Sequence, residues 1–328
     1  MADSKSTSRT VPHLGLFGKL RAVSEHFDDL GQSSALSALK TRIYDNGIRR
    51  AIDQGTWKEL STTNQLVAFD HWFAEFRSSA VSVGRVVASR DAVGRDQFPL
   101  IGALALDRGG PSSQIESVAS LLDPLVNFAR ASEDLESVRA RLVASRGLIA
   151  SPDSSASRPI EVFLVHPSLG PDRAGLRRVM RVLARQAEPH RARDKSLAGR
   201  ASHVRVPTCL DPLAACVAWA RLAYALVEGR APVAAWSRHA GGWTDLLIGE
   251  FGPGDLYCLR ASPEAIPLVT QVPYEFDERA TREIDAVIAS LQTGDKVPAP
   301  VQPSTQAPKK SLLKYFIPAG AVARCRRC

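Results

Sequence analysis

The run VSVGRVVASRDAVGRDQFPLIGALAL, residues 81–106, decides how this chain folds. Val81–Ala88 and Phe98–Leu106 are rich in β-branched and apolar residues and read as two strands. Between them Ser89-Arg90-Asp91-Ala92-Val93-Gly94-Arg95-Asp96-Gln97 is polar and reads as their connecting loop. Within that loop Gly94 supplies a positive φ at the tip, Asp91 can accept backbone N–H groups or pair with Arg95, and Pro99 opens the next strand.

Upstream, Leu14–Leu20 is a short apolar segment broken by Gly15 and Gly18, suited to a first strand or a tight turn. Leu36, Leu39 and Ile43 follow helical spacing, with Ser33 or Ser34 as cap and Asn46-Gly47 as stop. Thr62 and Gln65 have capping-box spacing, and Leu66, Phe69, Phe73 and Phe76 recur at three, four and three, which predicts a helix through Phe76. Downstream, Ile115–Leu142 predicts two helices, bent at Pro124 and recapped at Ser132.

Ser151–Pro159 has linker composition, followed by an expected strand Ile160–Val165, a helix Ala174–Gln186 and a basic loop. Asp211 and Pro212 start a helix that runs to Val227, with Gly229 at its end and Leu213, Val217, Ala220 and Tyr224 facing inward. Val233–Trp236, Asp245–Ile248 and Leu256–Arg260 look like an antiparallel meander, and a last helix is expected at Ala280–Leu291. Strands alternating with helices predict the α/β class, a mixed sheet flanked by helices in an α/β/α sandwich-like arrangement with a disordered C-terminal tail. The expected divisions are a flexible segment 1–12, one domain over 13–292 that allows an internal boundary at 150–159, and a Pro-rich linker with a basic tail over 293–328.

Composition narrows the function. The 328 residues are 45% hydrophobic and 23% charged, enough to bury a sizeable core, and no apolar run approaches the roughly 18 to 20 residues of a membrane span. Stable membrane insertion is not expected. Met1–Thr10 is polar and has no signal-peptide h-region, and five unevenly spaced cysteines fit a reducing compartment, so a cytoplasmic location is expected. The formal charge of +8 gathers in Arg173–Arg205 and Lys309–Arg327. Aromatics do not interleave with these stretches as a base-stacking platform requires, so no nucleic-acid partner is expected.

Searches for chemistry fail together. Gly15–Lys19 is too short for a phosphate loop, and Leu20 stands where the magnesium-binding hydroxyl belongs. No G-x-S-x-G, H-E-x-x-H or G-x-G-x-x-G occurs. Cys216 and Arg221 are one residue too close for a thiolate phosphatase loop. Cys325 and Cys328 give only half a zinc site. No catalytic residue, cofactor or metal site is therefore expected. In the tail, Leu312, Leu313, Tyr315 and Phe316 lie among lysines and can fill a partner's groove or fold back on their own domain.

Three of these segments bear a likeness to a known family. Gly15–Leu20 resembles the opening strand of TagF (ImpM) proteins, which are associated with bacterial type VI secretion. Ser89, Asp91, Gly94 and Arg95, followed by Pro99 and Leu100, resemble the family's Ser-x-Asp-x-x-Gly-Arg-x-x-Pro-Leu loop and strand, placed after an aspartate-tryptophan segment, here Phe69–Phe73. Pro232–Leu247 resembles the family's C-terminal half. After Leu20 this chain has Arg21–Phe27 where the family has Pro-x-x-Gly-Asp-Phe, and it carries one extra residue between Arg95 and Pro99. The resemblance implies a cytoplasmic regulator that restrains secretion by protein–protein binding, in some systems through a forkhead-associated scaffold. It draws attention to Ser89, Arg90, Asp91, Gly94, Arg95 and Pro99 as a partner-binding motif. An unrecognised hydrolase and a basic nucleic-acid binder are the alternatives.

Overall fold

The computed structural model describes residues 11–58, 60, 68–107, 115, 117–149, 174–193, 199–208, 211–238, 241–271, 282 and 285. Eight strands form one sheet: β1 (His13–Lys19), β2 (His26–Asp29), β3 (Asp70–Phe76), β4 (Ala80–Val87), β5 (Leu100–Asp107), β6 (Ser202–Pro207), β7 (Val233–Arg238) and β8 (Trp243–Ile248). Their order is β2-β1-β5-β4-β3-β7-β8-β6. Every pairing is antiparallel. Strands and helices combine around one sheet as expected, but the strand directions are not mixed.

Helices cover both faces. On one lie α1 (Ser34–Leu39), the π-helical Lys40–Arg49 and α2 (Arg50–Asp53), with the 3₁₀ turn Asp255–Leu259; they bury Phe17, Phe73 and Trp236 with Leu36, Ile43 and Leu256. On the other lie α3 (Leu122–Ala131), α4 (Leu135–Ile149), α5 (Ala174–Arg191) and α6 (Pro212–Leu226), which pack on Leu16, Trp72, Val83 and Leu246. Burying both faces of one sheet makes a three-layer arrangement. None of the described helices is long and apolar enough to cross a membrane.

Several local expectations hold. β1 forms over the Gly-interrupted segment, and β4 and β5 pair across the polar loop from Ala80↔Asp107 to Val87↔Leu100. Ser33 caps α1 by accepting from the Leu36 N–H, and Asp211 caps α6 by accepting from the Ala214 N–H. The β7–β8 hairpin also forms, pairing Val233 with Ile248.

Others need correction. Phe69–Phe76 is not helical: β3 runs through Asp70–Phe76 at the centre of the sheet, pairing Phe73 with Gly84 and with Trp236. Helical packing past Asn46-Gly47 continues to Asp53 instead of stopping. Pro124 lies in the first turn of α3, where its missing N–H costs nothing, so it starts that helix instead of bending it. Asp134, accepting from the N–H groups of Glu136 and Ser137, caps α4 in place of Ser132. The basic loop contains strand β6, and the third strand of the expected meander is the 3₁₀ turn Asp255–Leu259. Leu213 and Tyr224 of α6 are only partly buried; Cys216, Trp219 and Ala223 fill its inner face.

The linker 151–159, the strand Ile160–Val165, the capping box at Thr62–Gln65 and the tail residues Leu312, Leu313, Tyr315 and Phe316 lie outside the described residues, as do Cys325 and Cys328. Of the final helix only Arg282 and Asp285 are described, and both are helical.

Candidate functional site

β1 ends where the neighbouring strand β5 begins, at one end of the sheet, so Lys19 and Pro99 meet: the Lys19 N–H donates to the Pro99 carbonyl at 3.2 Å. Gly18 makes that approach possible. Its φ is +123°, and a Cβ there would come 2.3 Å from the Pro99 oxygen. The loop between β4 and β5 folds over this junction.

Asp91 organises the loop. Its side chain is buried, and both carboxylate oxygens are fully used. Oδ1 accepts from the backbone N–H of Val93 at 3.1 Å and of Arg95 at 2.9 Å. Oδ2 accepts from Lys19 Nζ at 2.9 Å and Arg95 Nε at 2.6 Å. Four donors occupy the roughly four lone-pair sites of a carboxylate. Burial alone would raise the Asp91 pKa, but the hydrogen bonds from Lys19 and Arg95 and the Lys19 charge prevail and hold it well below the usual carboxylate range. Asp91 is therefore an ionised, saturated anchor, with no acceptor capacity left for a substrate proton.

The surrounding contacts make one stitched unit. Ser89 Oγ donates to the Lys19 carbonyl at 2.8 Å, and the Ala92 N–H donates to the Val23 carbonyl at 2.9 Å. Lys19 Nζ also reaches the Ser24 carbonyl at 3.4 Å, and Arg95 Nη2 donates to that same oxygen. Gly94 has φ +87° with open space around it, and its N–H donates to the Asp91 carbonyl at 3.0 Å. Pro99 is buried at the strand start.

The motif residues thus converge but divide by role. Ser89, Asp91, Gly94 and Pro99 hold the backbone. Arg95 divides its guanidinium between Asp91 and Ser24 while half of its side chain stays exposed. Arg90 points outward and forms no ion pair among the described residues. Beside it Val93 is 66% exposed at the tip. The rigid loop presents one engaged arginine, one outward arginine and an apolar tip.

Sequence reasoning missed Lys19 and Ser24 as parts of this site. Gly18-Lys19 reads as the end of a first strand and as part of the family-like opening, with no partner assigned to the lysine; the usable signal is a lone lysine closing an otherwise apolar strand, which needs a buried anion. It also missed the pair Arg205–Asp245. Asp245 takes Arg205 Nε at 2.8 Å and Nη2 at 2.9 Å, and His203 Nε2 lies 2.7 Å from its Oδ1.

His203, Asp245 and Cys258 place possible metal-ligand atoms within 4.8 Å of one another. Arg205 already binds both Asp245 oxygens, and burial first, then the Asp245 charge, pushes the Cys258 thiol well above its ordinary value. A protonated thiol and an arginine-bound carboxylate make this a structural cluster. Burial likewise pushes Cys216 up to about 12, as suits a small core residue. Asp96 and Gln97, at the far end of the loop, form one wall of an open cleft of about 370 Å³ shared with Ile52, Trp57, Lys58 and Arg260.

No protein-family model matches this chain, and no curated protein matches it. Among solved structures, PA0076 from Pseudomonas aeruginosa PAO1 is similar at 16% identity, covering 80% of this chain and 98% of that one, with a TM-score of 0.37.

Proposed function

We propose that this chain is a TagF-like accessory protein of a bacterial type VI secretion system, working in the cytoplasm by binding a partner protein and restraining assembly of the apparatus. One observation carries the reading. Asp91 is saturated by Lys19, Arg95 and two backbone N–H groups, so the loop that resembles the family motif is a rigid presenter of Arg90 and Val93 and not a centre with a free acid or base. An outward guanidinium on a preorganised turn suits recognition of an acidic or phosphorylated protein surface, as on a forkhead-associated scaffold.

The test is capture of secretion components by tagged chain from its native cells, beside the Arg90→Glu variant. Wild type should retain a secretion-system protein, and charge reversal at Arg90 should reduce that recovery about tenfold while the melting temperature stays unchanged. Recovery of no secretion component by the wild type, or equal recovery by both, overturns the proposal.

A further inference from the structure

A larger opening, of about 550 Å³, runs between the helical layer and the loop that follows β8. Thr41, Asn46 and Arg50 line its helical side, and Phe251 and Pro253 line its loop side. Thr41 and Asn46 owe their common face to the π-helical winding of Lys40–Arg49. Five residues apart in an α-helix, they would sit about 140° apart around the axis. Hydrogen bonding from i to i+5 brings them together, while Leu39, Ile43 and Ile48 stay buried beneath.

Both walls of this groove are tied to the sheet. On the helical side Arg42 Nε donates to Glu75 Oε1 at 2.7 Å, and Arg42 Nη2 donates to Oε2. Glu75, 1% exposed in β3, also accepts from Arg77 Nη1 at 3.1 Å, and Arg77 Nη2 donates to Glu250 at the start of the loop. One buried carboxylate thus anchors the two sides together. Gly47 draws them closer, since a Cβ there would come 2.7 Å from Leu256 Cδ1. The Gly252 N–H donates to Asp255 Oδ2 at 2.8 Å and sets the shape of the loop. A groove fixed in this way loses little conformational freedom when it is occupied.

Arg42 and Glu250 are engaged in those ties, and other groups face the opening. Thr41, Asn46 and Arg50 are exposed, and their side chains form no hydrogen bond or ion pair among the described residues. Asn46 offers an amide that both donates and accepts, as a peptide group requires. Arg50 offers a fork that fits a carboxylate. Opposite them, half-buried Phe251 and Pro253 form an apolar strip. From Ala38 to Arg50 the helical wall spans roughly 15–18 Å, the length of about five extended residues. An open groove of this shape follows one side of an extended chain, whereas a small-molecule pocket encloses most of its ligand. We infer that the groove binds an extended segment of a partner protein, with its backbone on Asn46, an apolar side chain against Phe251 and Pro253, and an aspartate or glutamate on Arg50. No residue of the 89–99 loop takes part.

The test uses the full chain and acetylated, amidated five-residue peptides that place one leucine and one glutamate among alanines, at every spacing and in both orders. A second set carries glutamine in place of glutamate, and inorganic phosphate at equal ionic strength is the third arm. NMR of the Asn46 side-chain amide and the Arg50 Nε–H reports the groove directly. At least one glutamate peptide should shift both signals saturably and bind about tenfold more tightly than its glutamine counterpart. Arg50→Gln should remove that preference, and Asn46→Ala should weaken both peptides about threefold. Both positions are exposed, so the melting temperature of each variant should match that of wild type. Saturation by no peptide, equal affinity for glutamate and glutamine peptides, a preference that survives Arg50→Gln, or phosphate binding as tightly as the best peptide would each overturn the inference. These measurements involve no cellular partner, so their failure leaves capture through Arg90 standing, and loss of that capture leaves the groove's peptide affinity standing.

Discussion

Lys19 and Asp91, 72 residues apart in sequence, form an ion pair of 2.9 Å with both side chains buried. The pair ties the end of β1 to the loop between β4 and β5, so the loop's shape depends on the sheet itself. Breaking one partner of a buried pair leaves the other charge uncompensated, which is more harmful than losing the attraction alone.

Lys19→Met and Asp91→Asn should therefore both lower the melting temperature by several degrees, whereas Arg90→Ala should leave it within error. The pH dependence has a defined sign. The folded pKa of Asp91 lies below its unfolded value of about 3.9, so its contribution is complete above that pH and disappears as the pH falls toward the folded pKa. Urea melts of wild type and Asp91→Asn should differ most at pH 7 and by less at pH 3, where the loss has begun; a constant difference across that interval would show that the carboxylate is not the anchor.

Gly18 and Gly94 both have positive φ but should differ in cost. Gly18→Ala sets a Cβ 2.3 Å from the Pro99 oxygen, a clash with backbone that cannot move without separating β1 from β5, and should cost more than about 2 kcal/mol. Gly94→Ala meets nothing within 4 Å and bears only the backbone penalty, roughly 1 kcal/mol. Chemical denaturation of the two variants ranks them, and equal losses would mean that the β1–β5 junction is less tight than described.

Arg205 is fully buried and donates to both Asp245 oxygens and to the carbonyls of Ser262, Cys258, Ala261 and Ile266. It pins the 258–266 segment to strands β6 and β8. Arg205→Met should cost about 3–5 kcal/mol, and the double variant with Asp245→Leu should recover part of that loss because no charge is then stranded. Additive losses in denaturant unfolding would refute the coupling.

These buried charges also explain what the sequence concealed. A strand covered on both faces does not alternate, and β3 carries His71 and Glu75 among Trp72, Phe73 and Phe76, all buried. Phe69, Phe73 and Phe76 then matched helical spacing by coincidence, and nothing local contradicted it. β6 was hidden for the same reason: His203 and Arg205 read as loop polarity because their acceptor, Asp245, lies 42 and 40 residues away. The hairpin β4–β5, the Ser33 and Asp211 caps and the loop motif were readable because their determinants are local. Lys19 needed a partner 72 residues distant, which periodicity does not contain.

His71 follows from this central position. It is buried in β3, and its Nδ1 accepts the Asp70 N–H at 3.2 Å, which requires that nitrogen to be unprotonated. Burial first, then the charge of Arg238, push its pKa down to about 3, while Asp245 and Asp70 act in the opposite direction and Arg85 adds to the lowering. A histidine with a depressed folded pKa stabilises the fold above its unfolded value of about 6.5, and that contribution is lost as pH falls from there toward the folded value. Between about pH 6 and pH 4 the unfolded chain takes up a proton at His71 that the native one does not, a loss of up to about 1.4 kcal/mol per pH unit. His71→Phe removes this titration, so its unfolding free energy should fall less steeply than wild type over the same interval, whatever its stability at pH 7. Urea midpoints measured at half-unit steps give both slopes directly, and parallel slopes would show that His71 becomes charged inside the folded protein.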